Sequence, residues 1–378
     1  MFRIKTFLFL FLLTFGLQSY AQIPLSQKAE VSVLTCGTGP EVYALFGHTA
    51  IRINDAERGL DIVYNYGMFD FGTPNFIGKF TKGDLQYFMG TTNYMDFLSQ
   101  YEFEQRSVYE QTLQIPFSKK QEIFDNLNKA LLSDERFYTY KFIDRNCTNM
   151  AVDVINKTLG GTIIYKRKDT HVTYRETLYP YFNGHFYEQL GTSIIFGTKV
   201  DRQATLLFLP FELLESLKVS SYDNRLLAQE TKTLLEFKDK ENPRSWWNNI
   251  YTYLAFLVLV VVLNKKMLNI FYFLLLGLIG LLFSVAGMYS LHEELAWNYN
   301  VSLLNPAFLV LLFFYVRNNQ KWLYKISLFL MASIFVYLIL IVTKPYFLIV
   351  LPMVVTNVIL LGRFILPYRK HLKANANV

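Results

Sequence analysis

The chain has 378 residues, enough for two ordinary domains. Apolar residues make up 52% and aromatics 17%, both high for a wholly soluble protein, so part of the chain is expected in lipid. The net charge of +7 does not imply nucleic acid: Lys and Arg cluster in short loops between apolar runs, with no basic stripe interleaved with aromatics.

In chain order, the N-terminus reads as a signal peptide. Arg3 and Lys5 give a positive start, Phe7 to Phe15 an apolar stretch, and Ser19-Tyr20-Ala21 a small-residue cleavage site. The apolar run is short for a retained anchor, so residues 1–21 are expected to be removed, leaving a mature chain from Gln22. From 22 to 242 strand-like and helix-like patches alternate with normal polarity, as in an exported domain. Ala50 to Ile53 alternates as a half-buried strand, with His48 near its start on the face of Ala50 and Arg52. Asp61 to Tyr66 reads as its hairpin partner, joined by a turn at Asp55 to Gly59, with Asp61, Val63 and Asn65 on one face.

After Asp144-Arg145-Asn146, apolar residues at three-and-four spacing predict a helix ended by Gly160-Gly161. Asp144 or Asn146 serves as N-cap, which puts Cys147 in the first turn. There the helix dipole and free N–H groups favour a thiolate.

A charged linker at Lys238 to Arg244 leads into five apolar runs: Trp246–Leu263, Leu268–Tyr289, Val301–Val316, Trp322–Val342 and Pro345–Leu361. The third is short and holds Asn305-Pro306. Lys265 and Lys266, then Arg317, Lys321 and Lys325, then Arg369, Lys370 and Lys373 mark one side of the membrane as cytoplasmic. His292, Glu293, Glu294 and Lys344 fall on the other side, where 292–294 reads as a solvated loop. Five spans put the domain outside and the C-terminus inside the inner membrane. Domains are thus expected at 22–242 and 246–364, with a cytoplasmic tail over 365–378.

A helix-start thiol and a strand-borne imidazole suit nucleophilic catalysis, Cys147 attacking and His48 moving protons. Other uses compete. Cys36 and Cys147 are the only two Cys, and an oxidising compartment permits a bridge between them. Cys36 is a poorer nucleophile candidate, because only twelve positions separate it from His48. The His residues lack zinc-ligand spacing, and no phosphate loop or serine-hydrolase motif occurs.

Three stretches together resemble a known family: Thr35-Cys36-Gly37-Thr38-Gly39, Tyr43 to Arg52 with Gly47-His48, and Tyr64-Asn65-Tyr66-Gly67-Met68-Phe69-Asp70-Phe71. The likeness continues through Arg106-Ser107-Val108, Tyr138 to Cys147, Thr173-Tyr174-Arg175-Glu176, Gly197 to Asp201 and the apolar runs with His292 and Asn298-Tyr299-Asn300. The chain resembles the Lnb-type bacterial lipoprotein N-acyltransferases. Its domain is also similar to circularly permuted papain-like folds of the NlpC superfamily, where the His strand precedes the Cys helix.

The resemblance implies an α+β, permuted papain-like thiol-enzyme domain followed by an all-α five-helix transmembrane domain. It implies Cys147 as nucleophile, His48 as base, and Asn65 or Asp61 as third polar residue, with Asn65 preferred. The acyl donor would be a membrane phospholipid and the acceptor a diacylated lipoprotein, with no metal or soluble cofactor. Arg52, Arg175 and Asp201 match family positions and are expected in structural salt bridges. The competing readings are a thiol peptidase or amidase acting on cell-wall peptides, and a scaffold held by a Cys36–Cys147 bridge.

Overall fold

The computed structural model describes residues 24–238 and 245–376. The expected signal peptide at 1–21 and the linker after Lys238 lie outside the described residues.

Alternating apolar residues build an antiparallel sheet. Strand β1 (Glu30–Cys36) pairs with β2 (His48–Asp55), and β2 with β3 (Leu60–Met68). Next come β4 (Gln86–Asn93), β5 (Val108–Thr112), β6 (Phe137–Thr139), the ribbon of β7 (Ser221–Tyr222) and β8 (Arg225–Leu226), and β9 (Lys232–Leu235). The seven-stranded sheet runs β6-β4-β3-β2-β1-β5-β9. The expected hairpin is present, its turn a single 3-10 turn at Ala56–Arg58 closed by Gly59.

A period of two sorts the strand residues onto two faces. A short helix, α1 (Phe76–Lys82), follows β3. On one face Leu34, Cys36, Ala50 and Val63 meet α2 (Tyr94–Glu104) through Tyr94, Phe97 and Tyr101. On the other, Val31, Val33, Ile51, Ile53 and Tyr64 meet α3 (Phe117–Leu131) and α4 (Cys147–Leu159). Burying each such Ile, Leu or Phe contributes roughly 1.5–3 kcal/mol, so both faces are held and the sheet cannot slip register. Three further helices follow: α5 (Tyr174–Leu178), α6 (Phe186–Ile195) and α7 (Pro210–Leu217). Leu190 and Ile194 of α6 join the apolar cluster of the C-terminal helices, so the two parts share a core.

The C-terminal part comprises α8 (Ile250–Leu263), α9 (Lys266–Tyr289), α10 (Ala307–Val316), α11 (Gln320–Ile341) and α12 (Phe347–Ala376). The protein is therefore α+β with a helical membrane part. Helices α9, α11 and α12 are each long and apolar enough to cross a membrane. The third run differs from expectation: Glu293–Ser302 and α10 qualify only as a pair bent by 40°. Pro306 has no N–H to continue a helix, and Asn305 Oδ1 instead accepts the Ala307 N–H at 2.9 Å. Helix α8 has 14 residues; at about 1.5 Å per residue it is shorter than a bilayer core of about 30 Å. Helix α12 continues through the expected tail to Ala376.

Candidate active site

The Cys147 helix starts where the chain can cap it. Asn146 is the N-cap: its Oδ1 accepts the N–H groups of Thr148 (2.9 Å) and Asn149 (3.2 Å), and Asn149 Oδ1 returns a bond to the Asn146 N–H at 2.6 Å. The reciprocal arrangement satisfies helix-start groups that would otherwise lack partners. The Asn146 amide also donates to the carbonyls of Phe142 and Phe208, both at 2.8 Å. Cys147 is thereby fixed as the first helical residue, and its own N–H is not used by the cap.

His48 opens β2, and Asn65 lies on β3 beside it; the register pairs Ala50 with Asn65. His48 Nε2 lies 3.1 Å from Asn65 Oδ1, while the Asn65 amide nitrogen reaches Val63 O and Thr92 Oγ1. With Asn65 Oδ1 accepting, Nε2 carries the proton and the other ring nitrogen is left for the thiol, which hydrogen-bonds the ring. Two glycines make the approach possible. Gly47, at φ +79°, turns the chain into β2; a Cβ there would meet Cys36 O at 2.5 Å. Gly67, at φ +86°, leaves room for the site; a Cβ there would lie 3.7 Å from Cys147 Cβ and 4.0 Å from the Tyr140 ring.

Electrostatics couple the pair. Burial alone would raise the Cys147 pKa, but the His48 charge and hydrogen bond, the Thr49 N–H and the Thr148 hydroxyl hold it below the usual thiol value. Burial alone would lower the His48 pKa; the Cys147 charge, its hydrogen bond and that of Asn65 raise it instead. The pair therefore favours thiolate and imidazolium together. Tyr140, beside the thiol, has its hydroxyl pKa pushed well up by burial and by the Cys147 charge.

The other candidates fall elsewhere. Cys36 is free, not bridged, as is Cys147. It ends β1 opposite His48, fully buried, and burial pushes its thiol up to about 12 against a hydrogen bond with Tyr101. Asp61 grips Arg52 through both oxygens (2.7 and 2.8 Å), and Arg52 also holds Glu110 at 2.9 Å. Asp61 is thus engaged away from the imidazole. The buried Arg175 pairs with Asp201 at 2.8 Å, and the Tyr299 hydroxyl donates to the same carboxylate. Both arginines form the structural pairs expected. A cavity of about 590 Å³ flanks α4 at Val152, Asp153 and Asn156, but neither Cys147 nor His48 lines it. Among the described residues no cluster of His, Cys, Asp or Glu could hold a metal ion.

The segment 292–294 is not the solvated loop the sequence suggested. Glu294 is 2% exposed and accepts the Ile143 N–H at 3.4 Å, while its carbonyl accepts the Gly197 N–H at 2.7 Å. Glu293 pairs with Lys141 (2.8 Å) and Lys199 (3.0 Å), and Lys199 also pairs with Asp144. Those hydrogen bonds from Lys141 and Lys199 pull the Glu293 pKa down to about 2. The turn between membrane helices therefore clasps the loop 141–144 that delivers Cys147. The pattern that would reveal it, an acid facing lysines 152 and 94 residues away, is invisible to local periodicity. Lys344 approaches Asp201 at this same end, whereas Lys266 meets Asn318 at the far end of the helices. The basic turns thus lie away from the sheet domain, as the charge pattern requires.

A capped helix-start thiol, an imidazole held by an amide, and a clasp onto apolar helices define a membrane protein with a Cys–His pair in its extramembrane domain. Residues 19–179 match the family model described as the Lnb N-terminal periplasmic domain. The match covers most of the sheet domain, and the helical region that follows fits a membrane part: a membrane protein with a periplasmic domain. No curated protein and no solved structure matches the chain.

Proposed function

We propose that this protein is a lipoprotein N-acyltransferase working by two acyl transfers through a Cys147 thioester. The observation that carries the reading is the Cys147–His48–Asn65 group on a domain clasped to membrane helices. A water-soluble substrate would not need that attachment, whereas both lipid substrates lie in the membrane. The His strand preceding the Cys helix agrees with a permuted papain-like fold.

In the first transfer, the Cys147 thiolate attacks the carbonyl carbon of a phospholipid ester. The carbon–oxygen bond breaks, and His48 gives its proton to the leaving alkoxide, releasing a lysophospholipid. Asn65 keeps the ring oriented, and the Cys147 N–H is the helix-start donor available to the developing oxyanion. In the second, the free α-amine of a diacylglyceryl-cysteine lipoprotein attacks the thioester. The carbon–sulfur bond breaks, His48 takes the amine proton, and the thiolate–imidazolium pair is restored. In this reading the three long helices, the bent pair and the shorter α8 together make five crossings of the inner membrane, with a cytoplasmic C-terminus.

The test is the intact mass of the purified full-length protein after incubation with phospholipid vesicles. The reading expects one added acyl chain on Cys147, removed by hydroxylamine and absent in Cys147→Ser. A protein that stays unmodified, or acylates equally in Cys147→Ser, contradicts it.

A further inference from the structure

A row of aromatic rings leads away from the thiol. Tyr140 and Cys147 pack over Gly67 together. Tyr140 stacks on Tyr87 with centroids 4.5 Å apart, Tyr87 meets Phe69 at 5.3 Å, and Phe69 meets Phe76 at 6.0 Å. Phe76 stacks on Phe80 at 6.3 Å, one helical turn further along α1, and Phe80 reaches the His292 ring at 6.1 Å. Tyr140 is half-buried, and from Tyr87 outward exposure rises along the row. Tyr87 is buried, Phe69 and Phe76 are half-buried, and Phe80 is exposed. Beside the row, Phe71 is 70% and Ile77 78% exposed. Such an apolar cluster on a small polar domain marks a surface that something covers.

The position of α1 indicates what covers it. Its end is fastened to the end of the spanning helix α9: Leu291 N–H donates to Lys82 O at 2.7 Å and Ser290 Oγ to Thr81 O at 3.0 Å. His292 Nε2 lies 2.9 Å from Phe80 O. The last turns of α9 expose Val285, Met288 and Tyr289. The apolar face of α1 is therefore continuous with the lipid-facing surface of α9, at the height where that span leaves the hydrocarbon. Lys79 and Lys82 on the same helix put positive charge at head-group level, although Lys82 also pairs with Asp84.

We propose that α1 and the preceding loop 69–75 lie in the bilayer surface, and that the aromatic row guides a phospholipid acyl chain from there to Cys147. The guiding step rests on the acyltransferase reading; the seating of α1 in the lipid surface does not. Rigid ring faces suit this use, because they contact a sliding methylene chain at any register without a fitted pocket.

The experiment uses the full-length protein in vesicles of phosphatidylethanolamine and phosphatidylglycerol carrying a photoactivatable group on the acyl chain. After irradiation, peptide mass spectrometry maps the adducts. Adducts on 69–82 as well as on α9 are expected. In the same vesicles Phe71→Ser/Phe80→Ser should slow acylation of Cys147 at least about tenfold, while Phe71→Leu/Phe80→Leu retains it. Alkylation of Cys147 by iodoacetamide should be equal in all three.

Adducts on α9 but none on 69–82 overturn the seating and assign this face to a protein partner. Adducts with unchanged acylation in the serine variant overturn the guiding role. A serine variant that loses alkylation as much as acylation also overturns it, because the rings then merely support the site. If the wild type labels at 69–82 yet never acylates Cys147, the enzyme reading and the guiding role fail, and the surface seating stands.

Discussion

His48 Nε2 lies 3.1 Å from Asn65 Oδ1, and this contact fixes which ring nitrogen faces the Cys147 thiol. Asn65 is itself buried and tied to Val63 O and Thr92 Oγ1, so it holds the ring rather than following it. Asn65→Ala is therefore expected to slow acylation about a hundredfold, the size of effect a misplaced catalytic group produces. Asp61→Asn weakens the Arg52 pair and leaves the rate nearly unchanged. Initial rates and thermal melts on both variants check the contrast. Equal loss of rate in the two would remove Asn65 from its special position.

The pH dependence of alkylation follows from the shifted pair. A thiol reacts as thiolate, so its rate climbs through its own pKa. Cys147 is held down by His48, hence its climb is expected below 9.0, the ordinary value for a thiol, while Cys36, pushed up to about 12, stays silent. His48→Ala removes the largest lowering influence and moves the climb upward. Iodoacetamide rates against pH, read at each cysteine by peptide mass spectrometry, decide this. A wild-type climb at or above 9 contradicts the ion pair.

Gly67 combines φ +86° with a position 3.7 Å from Cys147 Cβ. Gly67→Ala adds left-handed backbone strain of about 1–2 kcal/mol and crowds Tyr140 and the thiol. The expected result is a modest fall in melting temperature with a much larger loss of acylation. A substitution elsewhere at positive φ, Gly160→Ala, meets nothing within 4 Å and should cost stability alone.

Glu294 carries the clasp between the membrane turn and the Cys147 loop. Glu294→Ala removes the acceptor of the Ile143 N–H, a loss on the order of 1 kcal/mol. Hydrogen exchange should speed up several-fold at 141–146 with the sheet amides unchanged, and acylation should fall. Unchanged exchange at these amides would mean that the membrane part does not steady the loop.

The readable parts of this molecule were those set by local periodicity. The β2–β3 hairpin followed from alternation around Ile51 and Ile53, and the Cys147 helix from its three-and-four spacing and Gly160. Those two elements bring Cys147, His48 and Asn65 together, so the grouping of these three residues was legible in the sequence. Asn65 and Asp61 share a strand face, and only their contacts separate them: Asn65 meets His48, whereas Arg52 grips both oxygens of Asp61. The clasp at 293–294 and the aromatic row were not legible, since both join segments far apart in sequence. The third apolar run stood out in the sequence as short and holding Asn305-Pro306; that it joins Glu293–Ser302 in a pair bent by 40° was not legible, because hydropathy carries no angle.

The most direct test of the central claim is the mass of a lipoprotein's N-terminal peptide from cells carrying the wild-type chain or Cys147→Ala as their only source of this activity. The account predicts an amide-linked acyl chain on the α-amine in the wild type and a free amine in the variant. The same acylation in both would contradict it, and Cys147 would not be the nucleophile.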